Sequence, residues 1–282
     1  METATLKISA SDVNKLRQQT GLGMMDCKKA LTEAGGDFEK AVEILRKKGQ
    51  KIAVNRGDRQ AKEGFVLGLV SDDKKNGVIV SLNCETDFVA KNGEFTTLAQ
   101  NITRVAIKEL PATDSDLKKL KTGQDTVEEA ITNLMGKIGE KMEVSRYEKI
   151  SAGSVYAYNH PGNKIVSLIG FNREASGKMD EAGKEIAMQV AAMNPIALDR
   201  SDVDAKILEK EIEIGKEQAR SEGKPEAMLE KIAQGKLNKF YRDYTLLNQS
   251  YVRDEKKSVK QYLDETEKGL TVTAFKRVSL KD

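Results

Sequence analysis

Apolar residues in the first fifty positions recur every three or four places. Val13 and Leu16, then Met24, Cys27, Leu31 and Ala34, then Phe38, Ala41, Val42 and Leu45 predict three short amphipathic helices. Ser9, with Asp12 three residues on, reads as the first N-cap, and Asp37 as the third. Gly21 is expected to end the first helix in the left-handed conformation, Gly35-Gly36 the second, and Gly49 the third. Residues 47–59 are basic and lose their apolar period after Val54, which predicts a linker whose charge is solvated rather than bound to nucleic acid.

From Gly64 the period changes to two. Residues 64–70 and 78–83 predict a hairpin across a turn at 71–77, its second strand half-buried, followed by a helix carrying Phe95, Leu98, Ala99, Ile102, Val105 and Ala106. The unit then recurs. Residues 153–158 pair with 164–171, and a helix with Ile186, Ala187, Val190, Ala191 and Met193 follows. Ile79-Val80-Ser81-Leu82 returns as Ile165-Val166-Ser167-Leu168. Residues 141–150 and 271–278 are candidates for a third strand in each half, and residues 127–142 predict a helix between the halves.

Residues 202–241 are rich in charge, with Leu208, Ile212 and Ala219, then Leu229, Ala233, Leu237 and Phe240, at helical spacing. Gly223 and Pro225 break the run, so an antiparallel helical hairpin is expected, projecting because it cannot form much core alone. The fold class read from this pattern is α+β: an N-terminal three-helix bundle, then two related antiparallel-sheet-plus-helix subdomains, with the hairpin inserted in the second. The expected divisions are residues 1–57 for bundle and linker, 58–150 for the first subdomain, and 151–282 for the second, with the hairpin at about 202–243.

Composition narrows the function classes. The 282 residues are 32% charged but 5% aromatic, and 47 basic side chains nearly balance 44 acidic ones for a net charge of +3. That balance gives no general drive toward nucleic acid or an anionic membrane. There is no run of eighteen apolar residues and no charged-then-apolar leader at Met1, so neither a membrane span nor a signal peptide is expected. Cys27 and Cys84 stand far apart and read as small core residues of a reducing compartment, which points to the cytoplasm.

His160 is the only histidine, which argues against paired-His metal sites and a His-activated nucleophile. Gly21-Leu22-Gly23 meets Asp26 where a dinucleotide loop needs its third Gly, and Met179 follows Gly177-Lys178 where a phosphate-binding loop needs Ser or Thr. No metal, no cofactor and no enzymatic chemistry of its own are expected.

Two features remain without a structural role. Phe88 falls where the strand ending at Asn83 hands over to the next helix, a place where a side chain either plugs its own domain or is presented to another. Met24 and Met25 are neighbours on a helix, about 100° apart, so one of them is expected to be exposed. The surrounding residues, Thr86-Asp87-Phe88-Val89-Ala90-Lys91 and, earlier, Leu16-Arg17 with Thr20-Gly21-Leu22-Gly23-Met24-Met25-Asp26-Cys27-Lys28-Lys29-Ala30-Leu31, resemble two motifs of the bacterial elongation factor Ts family, in its order and spacing. Weaker similarity runs to about Arg277.

The resemblance implies a bundle like a ubiquitin-associated domain and a guanine nucleotide exchange factor acting on elongation factor Tu. It implies that Thr86, Asp87, Phe88 and Val89 dislocate the partner's Mg²⁺, the Phe ring entering between helices of its G domain. Arg17, Met24, Met25, Ile138 and Gly139 match positions that contact that domain, and the second half matches one that reaches the partner's third domain. Where the family shows Ile-Gly-Glu-Asn, this chain has Lys141 in place of the Asn, which puts any contact through that amide in doubt. Some members carry a further C-terminal helix that this sequence is expected to lack. The alternative is a helical adaptor or ribosome-associated factor that binds regardless of its partner's nucleotide state.

Overall fold

A computed structural model describes residues 8–20 and 22–281, apart from the side chains of Ala53 and Val54; the left-handed stop expected at Gly21 lies outside them. In chain order, helices α1 (Ala10–Thr20), α2 (Met24–Glu33) and α3 (Phe38–Asn55) precede strands β1 (Glu63–Val70) and β2 (Asn76–Cys84). A one-turn helix α4 (Asp87–Ala90) leads into α5 (Gly93–Glu109) and α6 (Asp114–Lys119), then the short strands β3 (Lys121–Thr122) and β4 (Asp125–Thr126), helix α7 (Val127–Ile138) and strand β5 (Met142–Ser151). Strands β6 (Ser154–Asn159) and β7 (Ile165–Phe171) then precede helix α8 (Gly177–Met193) and the hairpin helices α9 (Ala205–Ser221) and α10 (Glu226–Tyr244). Strands β8 (Ser250–Tyr251) and β9 (Asp254–Ser258), helix α11 (Val259–Thr266) and strand β10 (Val272–Ser279) complete the chain. Two compact units result, one of residues 1–67, 80–147 and 280–282, the other of residues 68–79 and 148–279.

In the first unit, α1 to α3 close around Val13, Leu16, Cys27, Ala30, Leu31, Ala41 and Leu45. The Asp12 N–H donates to Ser9 Oγ at 3.1 Å, and the Lys40 N–H donates to Asp37 Oδ1 at 3.1 Å, so both predicted caps form. The third helix does not stop at Gly49. It runs on to Asn55, which makes the first part of residues 47–59 helix rather than linker. Gly49 serves instead as a crossing point: a Cβ there would stand 2.9 Å from the Thr132 carbonyl oxygen of α7, and Gly136 is the facing residue. Two helices meeting through glycines approach closely enough for backbone to touch backbone.

The repeated tetrapeptide occupies the middle strand of each three-stranded sheet, β2 in the order β1-β2-β5 and β7 in the order β10-β7-β6. Strands β6 and β10 flank β7 antiparallel, from Ser154↔Phe171 to Asn159↔Val166 and from Val272↔Phe171 to Ser279↔Ile165. Strand β2 is not half-buried as its alternation suggests, and β7 is buried in the same way. Residues 77–84 and 166–171 are buried throughout, because a central strand covered on both faces has no solvent side. The polar residues within them are satisfied: Ser81 Oγ donates to Asn83 Oδ1, and Ser167 Oγ donates to the Ala187 carbonyl.

Helix α8 packs on β6 and β7 through Met179, Ala182, Ile186, Ala187 and Val190, while Met193, expected on that face, lies in the last turn and is 47% exposed. The antiparallel hairpin forms as expected, with Leu229, Ala233 and Leu237 of α10 buried and Gly215 of α9 against Ala233. Helix α7 ends at Ile138 rather than Met142, since Gly139 turns left-handed (φ 82°) and Met142 opens β5.

Glycines inside helices give a test of the crossing. Gly235 of α10 has no neighbouring group within 4 Å of where a Cβ would stand, so Gly235→Ala raises the unfolding free energy by up to about 1 kcal/mol. Gly49→Ala gains the same propensity but must push α7 away, for a net loss of about 1–2 kcal/mol. Urea unfolding of the two variants is expected to shift the midpoint in opposite directions; stabilisation by both would mean the crossing is loose.

Candidate partner-binding site

The residues singled out by sequence all lie in the first unit, at three places. The first is the corner after β2. Thr86 caps α4 from an extended conformation, its Oγ1 accepting from the Val89 N–H at 3.4 Å, and Asn92 Oδ1 caps α5 by accepting from the Glu94 N–H at 2.8 Å. Between these caps α4 is a single turn. Successive residues on it point about 100° apart, so with Val89 buried the Phe88 ring is turned out, 83% exposed. Asp87 is held on the same turn by Lys91, whose Nζ donates to its Oδ2 at 2.8 Å.

The second place is the end of α7. Gly139 closes the helix by donating its N–H to the Met135 carbonyl at 2.8 Å; Ile138 and Gly139 are both part-exposed. The third is the bundle, where Arg17 of α1 is exposed and Met24 and Met25 are 51% and 64% exposed. One methionine of the pair is expected to be exposed, and both are; Met24, whose spacing groups it with the inner face of α2, is not core. The inner stripe of α2 is centred on Cys27, Ala30 and Leu31, and Met24 sits at its margin in the first turn.

Two carboxylates that the sequence reading passed over join the first two places. Glu140 accepts from the Thr86 N–H at 3.1 Å and from Thr86 Oγ1 at 2.8 Å. Glu85 accepts from the Lys141 N–H at 2.6 Å, from Arg56 Nη1 at 2.7 Å and from Arg59 Nη1 at 3.1 Å. Lys141 therefore bonds through its backbone, whatever its side chain, and its Nζ goes instead to the carbonyls of Gly57 and Arg59 at 2.9 and 3.1 Å. Nothing in the sequence pairs residues 85–86 with 140–141; the only signal is that a Glu lies at the edge of each motif.

Burial works to raise the Glu85 carboxyl, but the Lys141 N–H and the two guanidiniums outweigh it and push the group down to about 2 from an ordinary 4.5. Burial first, and the Glu140 charge second, push the Cys84 thiol up to about 12, so this thiol stays protonated. Among the described residues no three His, Cys, Asp or Glu side chains are grouped to hold a metal ion, and no helix is long and apolar enough to cross a membrane. What the surface offers is shape: one aromatic ring, two thioethers and a helix end.

A helical bundle leading two sheet-and-helix halves, with large apolar side chains turned out, defines an α+β protein of a recognisable class. Residues 85–282 match the family model described as elongation factor TS. The chain is 54% identical over 274 residues to the elongation factor Ts of Cytophaga hutchinsonii, covering 97% of this chain and 99% of that protein. It is 52% identical over 273 residues to that of Amoebophilus asiaticus and 49% identical over 274 residues to that of Christiangramia forsetii, with the same coverage in both. The chain belongs to the elongation factor Ts family, and its role is that of a translation elongation factor.

The depressed Glu85 carboxyl has a consequence in acid. In the unfolded chain it binds its proton near 4.5, in the folded chain near 2, so its stabilising contribution is complete above the first value and is lost as pH falls toward the second. Glu85→Gln abolishes that dependence. The stability gap between the two proteins is expected to narrow between about pH 5 and pH 2 in thermal melts; a gap independent of pH would show that Glu85 is not held as described.

Proposed function

We propose that this chain is a guanine nucleotide exchange factor that binds elongation factor Tu, disrupts its Mg²⁺ site and promotes GDP release so that GTP can rebind during elongation. The observation that carries this is the Phe88 ring, 83% exposed on a turn capped at both ends. An aromatic ring held rigidly in water gains nothing for its own fold, and is suited to enter another protein. In this reading the chain needs no cofactor of its own, since GDP and Mg²⁺ belong to the partner, and it works in the cytoplasm without binding nucleic acid or membrane.

Exchange of this kind requires no catalytic group. Binding is reciprocal, so a factor that holds the empty partner more tightly than the loaded one weakens nucleotide by the same ratio. Mg²⁺ demands near-octahedral ligands, and small displacements of the elements that carry them are costly. Phe88 is the wedge, with Asp87 beside it. Val89, buried beneath, and Thr86, whose hydroxyl is engaged, keep the wedge oriented. Burying the ring in the partner is worth about 1.5–3 kcal/mol, or one to two powers of ten in affinity. Arg17, Met24, Met25, Ile138, Gly139 and the second unit supply the remainder.

Release of labelled GDP from purified elongation factor Tu tests the reading. The chain is expected to accelerate release, and Phe88→Ala to lose most of that acceleration while its stability changes by no more than about 0.5 kcal/mol, as for an exposed side chain. Undiminished exchange by Phe88→Ala would overturn the wedge. Deleting the α9–α10 hairpin is expected to leave acceleration largely intact, because its buried seam is internal to the two helices; complete loss in a stopped-flow assay would contradict this.

A further inference from the structure

Helix α4 is four residues long, too short to hold its own shape, since nucleating a helical turn costs more than a single turn returns. Yet the orientation of Phe88 depends on it. The support comes from outside the turn. Glu140 takes both donors of Thr86, the N–H and the hydroxyl, and the same hydroxyl accepts from the Val89 N–H inside α4. One position away on each side, before Thr86 and after Glu140, the arrangement is mirrored: Glu85 takes the Lys141 N–H. Two adjacent residues on each side thus exchange carboxylate-to-amide bonds, and Arg56 and Arg59, just past α3, close on the free edge of Glu85.

We infer that Glu140 is a positioning residue for exchange, acting through Thr86 to hold Phe88 at a fixed angle to Ile138 and Gly139. The inference rests on the function proposed above and adds a residue to it. Glu140 does not itself need to touch the partner: both its oxygens are already engaged with Thr86. Without this clamp the turn is one of several conformers, and binding must select the competent one, which lowers apparent affinity by the fraction populated. Hydrogen bonds to an ionised group are the strong ones, so losing a pair of them is expected to reduce exchange on the order of tenfold.

The chain contains no tryptophan, so Phe88→Trp places a single indole at the tip of the turn. In that protein, without any partner, Glu140→Ala is expected to increase the amplitude of fast indole motion in time-resolved anisotropy, and Glu140→Gln, which keeps one acceptor oxygen, to increase it less. In the exchange assay Glu140→Ala is expected to slow GDP release on the order of tenfold when Phe88 is present, and by less than about twofold when it is already Ala, because the two residues act as a unit. An equal loss in both backgrounds would show a general structural defect and overturn the inference. If Phe88→Ala abolishes acceleration but Glu140→Ala changes neither indole motion nor rate, this inference alone falls. If Phe88→Ala leaves acceleration untouched, the proposed function falls and the positioning role falls with it.

Discussion

At Gly139 the backbone takes φ 82°, ψ 16°, a conformation that costs a residue with a Cβ about 1–2 kcal/mol. That turn stops α7 after Ile138 and sends the chain back along the end of β2, which is how Glu140 and Lys141 come alongside Glu85 and Thr86. The presenting corner depends on it. A helix continued for another turn would carry Glu140 around the helix axis and leave the Thr86 donors to water. Ile138 and Phe88 are therefore fixed with respect to each other by a few hydrogen bonds from backbone that is neither strand nor helix.

Helix α7 also meets the bundle. Its middle crosses α3 where Gly49 faces Thr132 and Gly136, and its beginning is pinned by the capping box of Thr126 and Glu129 and by Arg46, whose guanidinium reaches Asp125 at 3.1 Å. A surface ion pair of this kind contributes little by itself. The glycine crossing matters more, because close-packed backbone leaves a helix little room to slide. One helix thus supports the α3 bundle along its length and the Phe88 turn at its end.

Much of the fold was legible. The switch from a period near 3.6 to a period of two located the bundle and both hairpins, and the repeat of Ile-Val-Ser-Leu, read as a recurring unit, falls on the middle strand of each sheet. Errors arose where a local rule met a tertiary contact. Gly49 reads as a stop because glycine is a poor helix former, but a neighbouring helix requires it. The run from Val78 to Leu82 reads as half-buried because it alternates with a period of two, yet Ser81 within it and Asn83 at its end are both buried with their polar atoms satisfied. The one-turn α4 and six-residue α6 are too short to show a period at all.

The sequence by itself determined the longer helices and strands, the recurrence of a hairpin-plus-helix unit, and which motifs place the chain beside elongation factor Ts. Those are properties of neighbours along the chain, where spacing alone decides which side chains share a face. The direction of Phe88, the exposure of both Met24 and Met25, and the pairing of Glu85 with Lys141 and of Glu140 with Thr86 were decided only by tertiary structure. Each depends on what stands opposite a residue from more than fifty positions away, or on nothing standing there, and no periodicity carries that information.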